Sequence, residues 1–207
     1  MISVAFPAWL LGRKPSTQII NASYSQSLSL KMSVDTRLVI ESDWYKYLFP
    51  QTVIASDQNE KKKFQTTRRG HRLATSVGGT LTGEGGDYLL MDDPIKPEEG
   101  TSDLIREKTN DWFDQTFMTR ENSSDSKAVV IMQRVHDADL SGHLLEKGGW
   151  HHLCIPTIAE QKTIIEIRGE TWTREEGEPL HEKRENSEQL QRKQHEVGKY
   201  AWAGQFQ

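Results

Sequence analysis

A single cysteine, Cys154, stands in 207 residues, so neither an intramolecular disulfide nor a cysteine zinc cluster can form. Its place in the apolar run Leu153-Cys154-Ile155 predicts a buried thiol in a reducing compartment. Long hydrophobic runs are missing too. No stretch approaches the ~20 apolar residues that span a bilayer, and the N-terminus carries no charged segment followed by a cleavable apolar run, which together predict a cytoplasmic protein in a bacterial host. Charge of one sign is scarce: a formal net charge of -4 and a pI near 6.0 exclude a chain whose whole surface is built to hold nucleic acid by phosphate contacts. What is present is 35% hydrophobic residues and a length suited to one domain, enough to bury a core rather than stay disordered.

The charge that exists is unevenly spread. Lys61, Lys62, Lys63, Arg68, Arg69 and Arg72 form a basic run, whereas residues 92–114 are dominated by carboxylates. The basic run reads either as a solvated loop or as a contact, with Arg68, Arg69 and Arg72 reaching DNA or a neighbouring subunit's nucleotide. Apolar runs at residues 18–22, 37–40, 72–76, 88–92, 128–133 and 151–155 predict strands. Amphipathic stretches at 25–33, 44–49, 104–119 and 139–147 predict helices between them, the third turning Ile105, Trp112 and Phe117 inward. That alternation is the pattern of an α/β fold with a mainly parallel sheet. Beyond Pro156 the composition turns to Glu, Lys, Arg and Gln, which predicts a polar excursion ending in a surface helix over 185–197. The aromatics Trp202 and Phe206 near the end predict packing against something further on.

Leu89-Leu90-Met91-Asp92-Asp93-Pro94 sets two carboxylates at the end of an apolar strand, the edge where open α/β sheets bind ligands. This is a Walker B arrangement, in which Asp92 holds Mg²⁺ directly or through water and Asp93 orients or deprotonates the attacking water; the same residues also make an ordinary turn. The loop Leu81-Thr82-Gly83-Glu84-Gly85-Gly86-Asp87 precedes that strand and has no Lys-Ser or Lys-Thr ending, so it reads as a turn and not a phosphate loop. The run ending in Gln133-Arg134 either supplies a γ-phosphate sensor or is an ordinary polar strand end. His136-Asp137-Ala138-Asp139 invites a metal reading, yet Asp137 fits an N-cap and Asp139 the positive end of the helix that follows.

Taken in order, Phe6-Pro7-Ala8-Trp9-Leu10-Leu11-Gly12, Ala22-Ser23-Tyr24-Ser25, Arg37 with Ser42, Leu48-Phe49-Pro50, Thr82 to Asp87, Leu89 to Pro94, Asp111-Trp112, Thr119-Arg120, Gln133-Arg134 with His136, and Asp139-Leu140-Ser141-Gly142 resemble the terminase large subunits of tailed phages and prophages. The resemblance spans nearly the whole chain. It implies a P-loop-type ATPase fold with helices on both sheet faces, ATP and Mg²⁺ as cofactors, and Asp92, Asp93, Gln133 and Arg134 around the nucleotide. It also implies double-stranded DNA as the translocated substrate, with a capsid portal and a small terminase subunit as partners. Val135 stands where relatives carry tryptophan. By the same resemblance residues 1–160 are a partial ATPase core, incomplete at the N-terminus and without the glycine-rich loop ending in Lys-Ser or Lys-Thr. Residues 161–207 are a helical extension towards a nuclease domain that these residues do not include. The phosphate cradle is therefore expected in another chain, or the protein is a non-catalytic remnant or interaction piece. A helicase-like fragment is a third reading, disfavoured because residues 133–142 follow the terminase pattern. The family's phosphate-loop strand would lie beside 128–133 and separate it from 151–155, so both are expected to show an open edge.

Overall fold

In the computed structural model, which describes residues 2–206, four of the expected strands lie side by side and parallel. They are β1 (Gln18–Ser23), β4 (His71–Ser76), β5 (Tyr88–Asp92) and β6 (Lys127–Ile131). Two further strands, β2 (Ile54–Asn59) and β3 (Lys63–Thr66), extend the sheet antiparallel, giving the order β2-β3-β4-β1-β5-β6. The sheet belongs to the first of two compact units, Met1–Met132 and Gln133–Gln207.

Its helices are α1 (Ala5–Arg13), α2 (Gln26–Glu41), α3 (Asp43–Leu48) and α4 (Asp103–Trp112). Residues 37–40, expected as a strand, lie inside α2. The β-branched run loses there to a helical stripe of Ser29, Ser33, Thr36 and Ile40, which is buried where α2 packs on β4 and β1. Ser25 caps α2 by accepting from the Leu28 N–H at 3.3 Å. Ala8, Leu10, Leu11, Ile40 and Tyr45 from α1 to α3 close over Ile19, Phe64 and Leu90 on one sheet face. Ile20, Ala22, Leu89 and Met91, pointing the other way by the alternation of a strand, are equally buried. The chain leaves β1 towards β4 and leaves β5 towards β6, in opposite directions along the sheet. Right-handed crossovers then set α2 and α4 on opposite faces. The helix expected over 104–119 passes after Trp112 into a π-helical turn, Phe113–Phe117, whose slip in phase buries Phe113 beside Phe117.

In the second unit α5 (Leu140–Lys147) stops at Gly148 and Gly149, both at positive φ. Residues 151–155, expected as a strand, form no strand and are exposed, Cys154 included; a short segment with three apolar residues and no bonded neighbour has nothing to hold it in a ladder. A hairpin of β7 (Thr163–Ile167) and β8 (Glu170–Arg174) turns through Arg168 and Gly169, both at positive φ. Buried Arg174 pins its base by donating to the carbonyls of Pro156, Thr157 and Glu178. The helix expected over 185–197 runs as α6 (Ser187–Phe206), broken at Gly198. Trp202 is buried and stacks on Phe206 at 4.5 Å. Among the described residues no helix is long and apolar enough to cross a membrane.

Candidate functional site at the switch point of the sheet

The opposed exits from β1 and β5, which are neighbours, make the sheet's topological switch point. The loops after the two strands part there and leave a crevice at their C-terminal ends. Asp92 and Asp93 occupy it. Asp92 ends β5 opposite Ile131, the last residue of β6, so the expected parallel pairing of these two strands is observed. Gln133 follows two residues later and opens the second unit.

Asp93 adopts φ +45, a left-handed conformation that a non-glycine residue keeps only when its surroundings hold it. Both of its backbone groups are held. Its N–H donates to the Ile131 carbonyl at 2.8 Å, and its carbonyl accepts from the Tyr24 N–H at 2.9 Å, so the residue is bolted to strand ends on either side. The carboxylate of Asp92 is oriented by the Ser3 hydroxyl, which donates to its Oδ2 at 2.5 Å. Ser3 precedes α1 and is itself buried. Lys96, just beyond the Asp-Asp-Pro turn, sets its ammonium 5.8 Å from the centre of the Tyr24 ring. Tyr24 and Lys96 thus belong to this edge although sequence reading gave them no role; a basic residue two positions after Asp92-Asp93-Pro94 was the available signal.

Arg72 behaves unlike the rest of the basic run. It is fully buried on the α1–α2 face, where its Nη2 donates to Asn21 Oδ1 at 2.7 Å and to the Ser3 carbonyl at 3.2 Å. Burial pushes its guanidinium down to about 9, still charged at neutral pH. This corrects both expectations for it: a residue enclosed in the sheet neither belongs to a solvated loop nor reaches DNA or a neighbouring subunit. Arg68 and Arg69 are exposed, in the turn before β4. They lie at the N-terminal edge, roughly 17 Å along β4 from the edge that holds Asp92, at about 3.3 Å per residue. A depression of about 280 Å³ lined by Pro15, Ser16, Gln51 and Arg68 opens at that far edge, away from the acids.

The glycine-rich loop is also at the N-terminal edge. Asp87 accepts from the Gln18 N–H through Oδ2, while Glu84 pairs with Lys63 at 2.7 Å. Only Gly83 of its glycines is at positive φ.

In the second unit Asp139, not Asp137, is the N-cap of α5. Its buried carboxylate accepts from the N–H groups of Val135, His136 and Gly142 and from Arg134 Nε at 3.3 Å. Arg134 is therefore held within its own loop, while Gln133 is exposed. Gly142 cannot carry a side chain, since a Cβ would stand 1.8 Å from the Asp137 carbonyl oxygen.

Among the described residues no group of three or more His, Cys, Asp or Glu side chains could enclose a metal ion. One or two carboxylates do fit a magnesium ion, which keeps several waters and takes its remaining ligands from phosphate oxygens. Asp92, with Oδ2 held by Ser3, has the chemistry of such a ligand.

No protein-family model matches the sequence, and no curated protein does. The crystal structure of the HK97 bacteriophage large terminase is similar to this chain at a TM-score of 0.38 and 18% identity, covering 61% of this chain and 24% of that one. The chain thus spans about a quarter of that terminase.

Proposed function

We propose that the switch-point edge is a magnesium–nucleotide site and that the chain is a partial ATPase motor subunit of the terminase large subunit type. The observation that carries this reading is the Asp92-Asp93 pair at the C-terminal end of β5, beside the crevice between β1 and β5, with Asp93 held at positive φ from both sides. The ordered run of terminase-like segments from Phe6 to Gly142 supports it independently. Asp92, oriented by Ser3, holds the magnesium ion through water. Magnesium, when bound, neutralises charge on the phosphates. Asp93 would orient the attacking water, and Lys96 would offer a positive charge to the phosphates. On this reading ATP is the fuel, double-stranded DNA the substrate, and the portal and small terminase subunit the partners.

A second reading, a non-catalytic interaction piece or prophage remnant, is favoured by one observation. The 207 residues hold no glycine-rich loop ending in Lys-Ser or Lys-Thr, the donor-rich nest that cradles β- and γ-phosphates.

Titration with Mn²⁺, read by NMR as paramagnetic broadening of individual amides, tests the site. Broadening should centre on Tyr24, Asp92 and Asp93 and vanish in Asp92→Asn. Broadening that ignores this substitution, or that centres elsewhere, overturns the assignment.

A further inference from the structure

The most expensive side chain in the first unit is Arg72. A guanidinium enclosed in a sheet gives up its hydration, and here no carboxylate among the described residues pairs with it directly. Two of its donors, Nε and Nη1, are buried without an acceptor. An apolar residue of similar volume would pack at this position with no such cost. Arg72 therefore needs an explanation in what its one satisfied nitrogen does. Nη2 fastens three parts of the fold: β4, which carries Arg72; β1, through Asn21 Oδ1; and the segment before α1, through the Ser3 carbonyl. Asn21 in turn donates to the Leu90 carbonyl of β5 at 3.4 Å. Ser3, fixed by its carbonyl, then donates its hydroxyl to Asp92 Oδ2.

We propose that Arg72 is a positioning residue for Asp92, acting through Ser3: the buried guanidinium sets the Ser3 backbone, and the Ser3 hydroxyl sets the carboxylate that takes the cation. The inference rests on the magnesium–nucleotide reading for its purpose, though the relay is a property of the chain alone. A planar guanidinium suits the task because one nitrogen with two hydrogens can serve two acceptors at a fixed angle. A lysine here would keep the charge and lose the fork. The relay also accounts for the direction of the Arg72 side chain, which leaves the row of Ile19 and Tyr88 and reaches Asn21, two residues nearer the edge that holds Asp92; support behind a ligand fixes its orientation and strengthens a metal site.

The test uses the full chain labelled with ¹⁵N-arginine. Buried guanidinium protons exchange slowly enough to be seen, and Ser3→Ala and Asp92→Asn each change only an atom or two near the edge. The relay predicts that the Arg72 guanidinium resonances move in both variants, and that the double variant moves them no further than the larger single shift. Unmoved Arg72 resonances in both variants, with melting temperatures kept, overturn it, because an arginine that merely packs the core has no reason to register a change at Asp92. In the second arm Arg72→Lys is compared with the wild type for Mn²⁺ binding, where affinity should fall about tenfold, as for loss of support behind a ligand. Unchanged affinity in folded Arg72→Lys also overturns the relay. Should Arg72→Lys fail to fold, the Ser3 and Asp92 variants still decide. If the wild type binds no Mn²⁺, the proposed function fails, while the guanidinium resonances still judge the relay.

Discussion

Acidification probes the far edge of the sheet, because His71 is buried there as a neutral imidazole at 4% exposure. Burial pushes its pKa from 6.5 down to about 4; Lys63 pushes the same way, and Glu84, Asp87 and the Gly85 backbone pull back. Above pH 6.5 the imidazole is neutral in both folded and unfolded chains and adds nothing to the pH dependence. As the pH falls below 6.5 the unfolded chain takes up a proton that the folded chain refuses, so stability is lost progressively. The loss is complete once the pH is below about 4. The gap corresponds to about 3 kcal/mol in full, of which about 2 kcal/mol is gone by pH 5, at roughly 1.4 kcal/mol per pH unit. Against a total of roughly 5 to 15 kcal/mol for a domain, that is a large share. His71→Gln removes the titration and keeps a polar group of similar size. Urea unfolding followed by tryptophan fluorescence between pH 7 and pH 4.5 should show the wild type losing about 2 kcal/mol more than the variant by pH 5. Parallel stability curves for the two proteins would refute the burial argument, as would a directly titrated His71 near 6.5.

Asp139→Ala should weaken α5 by about 2 kcal/mol, since it removes the cap and leaves Arg134 and three backbone N–H groups without their acceptor; hydrogen exchange over 140–147 should then run roughly 30-fold faster. Reversing the charge of Arg68 and Arg69 should weaken any binding of labelled duplex DNA and flatten its dependence on salt, whereas removing the charge at the third position by Arg72→Met, in a chain that stays folded, should alter neither, because Arg72 is enclosed. Equal effects at all three positions would contradict the burial of Arg72. The isolated chain should release no phosphate from ATP above an Asp93→Ala control, because no glycine-rich run in these 207 residues ends in Lys-Ser or Lys-Thr; turnover that depends on Asp93 would refute that expectation.

The central strands were legible because each is an apolar run bounded by turn residues, and β1, β4, β5 and β6 fell within a residue or two of their expected places. The same signal misled where composition and period disagreed: Leu38-Val39-Ile40 is rich in strand formers, yet the buried stripe through Ser29, Ser33 and Thr36 repeats as a helix. It misled again at Leu153-Cys154-Ile155, since an apolar run makes a strand only when a neighbour supplies the ladder. The edge strands β2 and β3 were missed for the opposite reason, being too polar to stand out.

For the site, direction along the chain proved more informative than composition. In a parallel sheet whatever follows a strand gathers at one edge and whatever precedes a strand gathers at the other. Asp92 ends β5, Asp93 follows it and Tyr24 follows β1, so these meet; Arg68 and Arg69 precede β4 and the loop from Gly83 to Gly86 precedes β5, so they lie at the far edge. Arg72 was misread as a contact although it falls inside the run 72–76, a strand covered on both faces where a charged side chain has no route to solvent. What sequence could not supply was its partner. Ser3 and Asp92 are separated by 89 residues, and only the folding of α1 over the sheet brings the hydroxyl to the carboxylate. The first carboxylate of the Asp-Asp pair accepts from a serine whose carbonyl accepts from an arginine, and no local motif connects either residue to it.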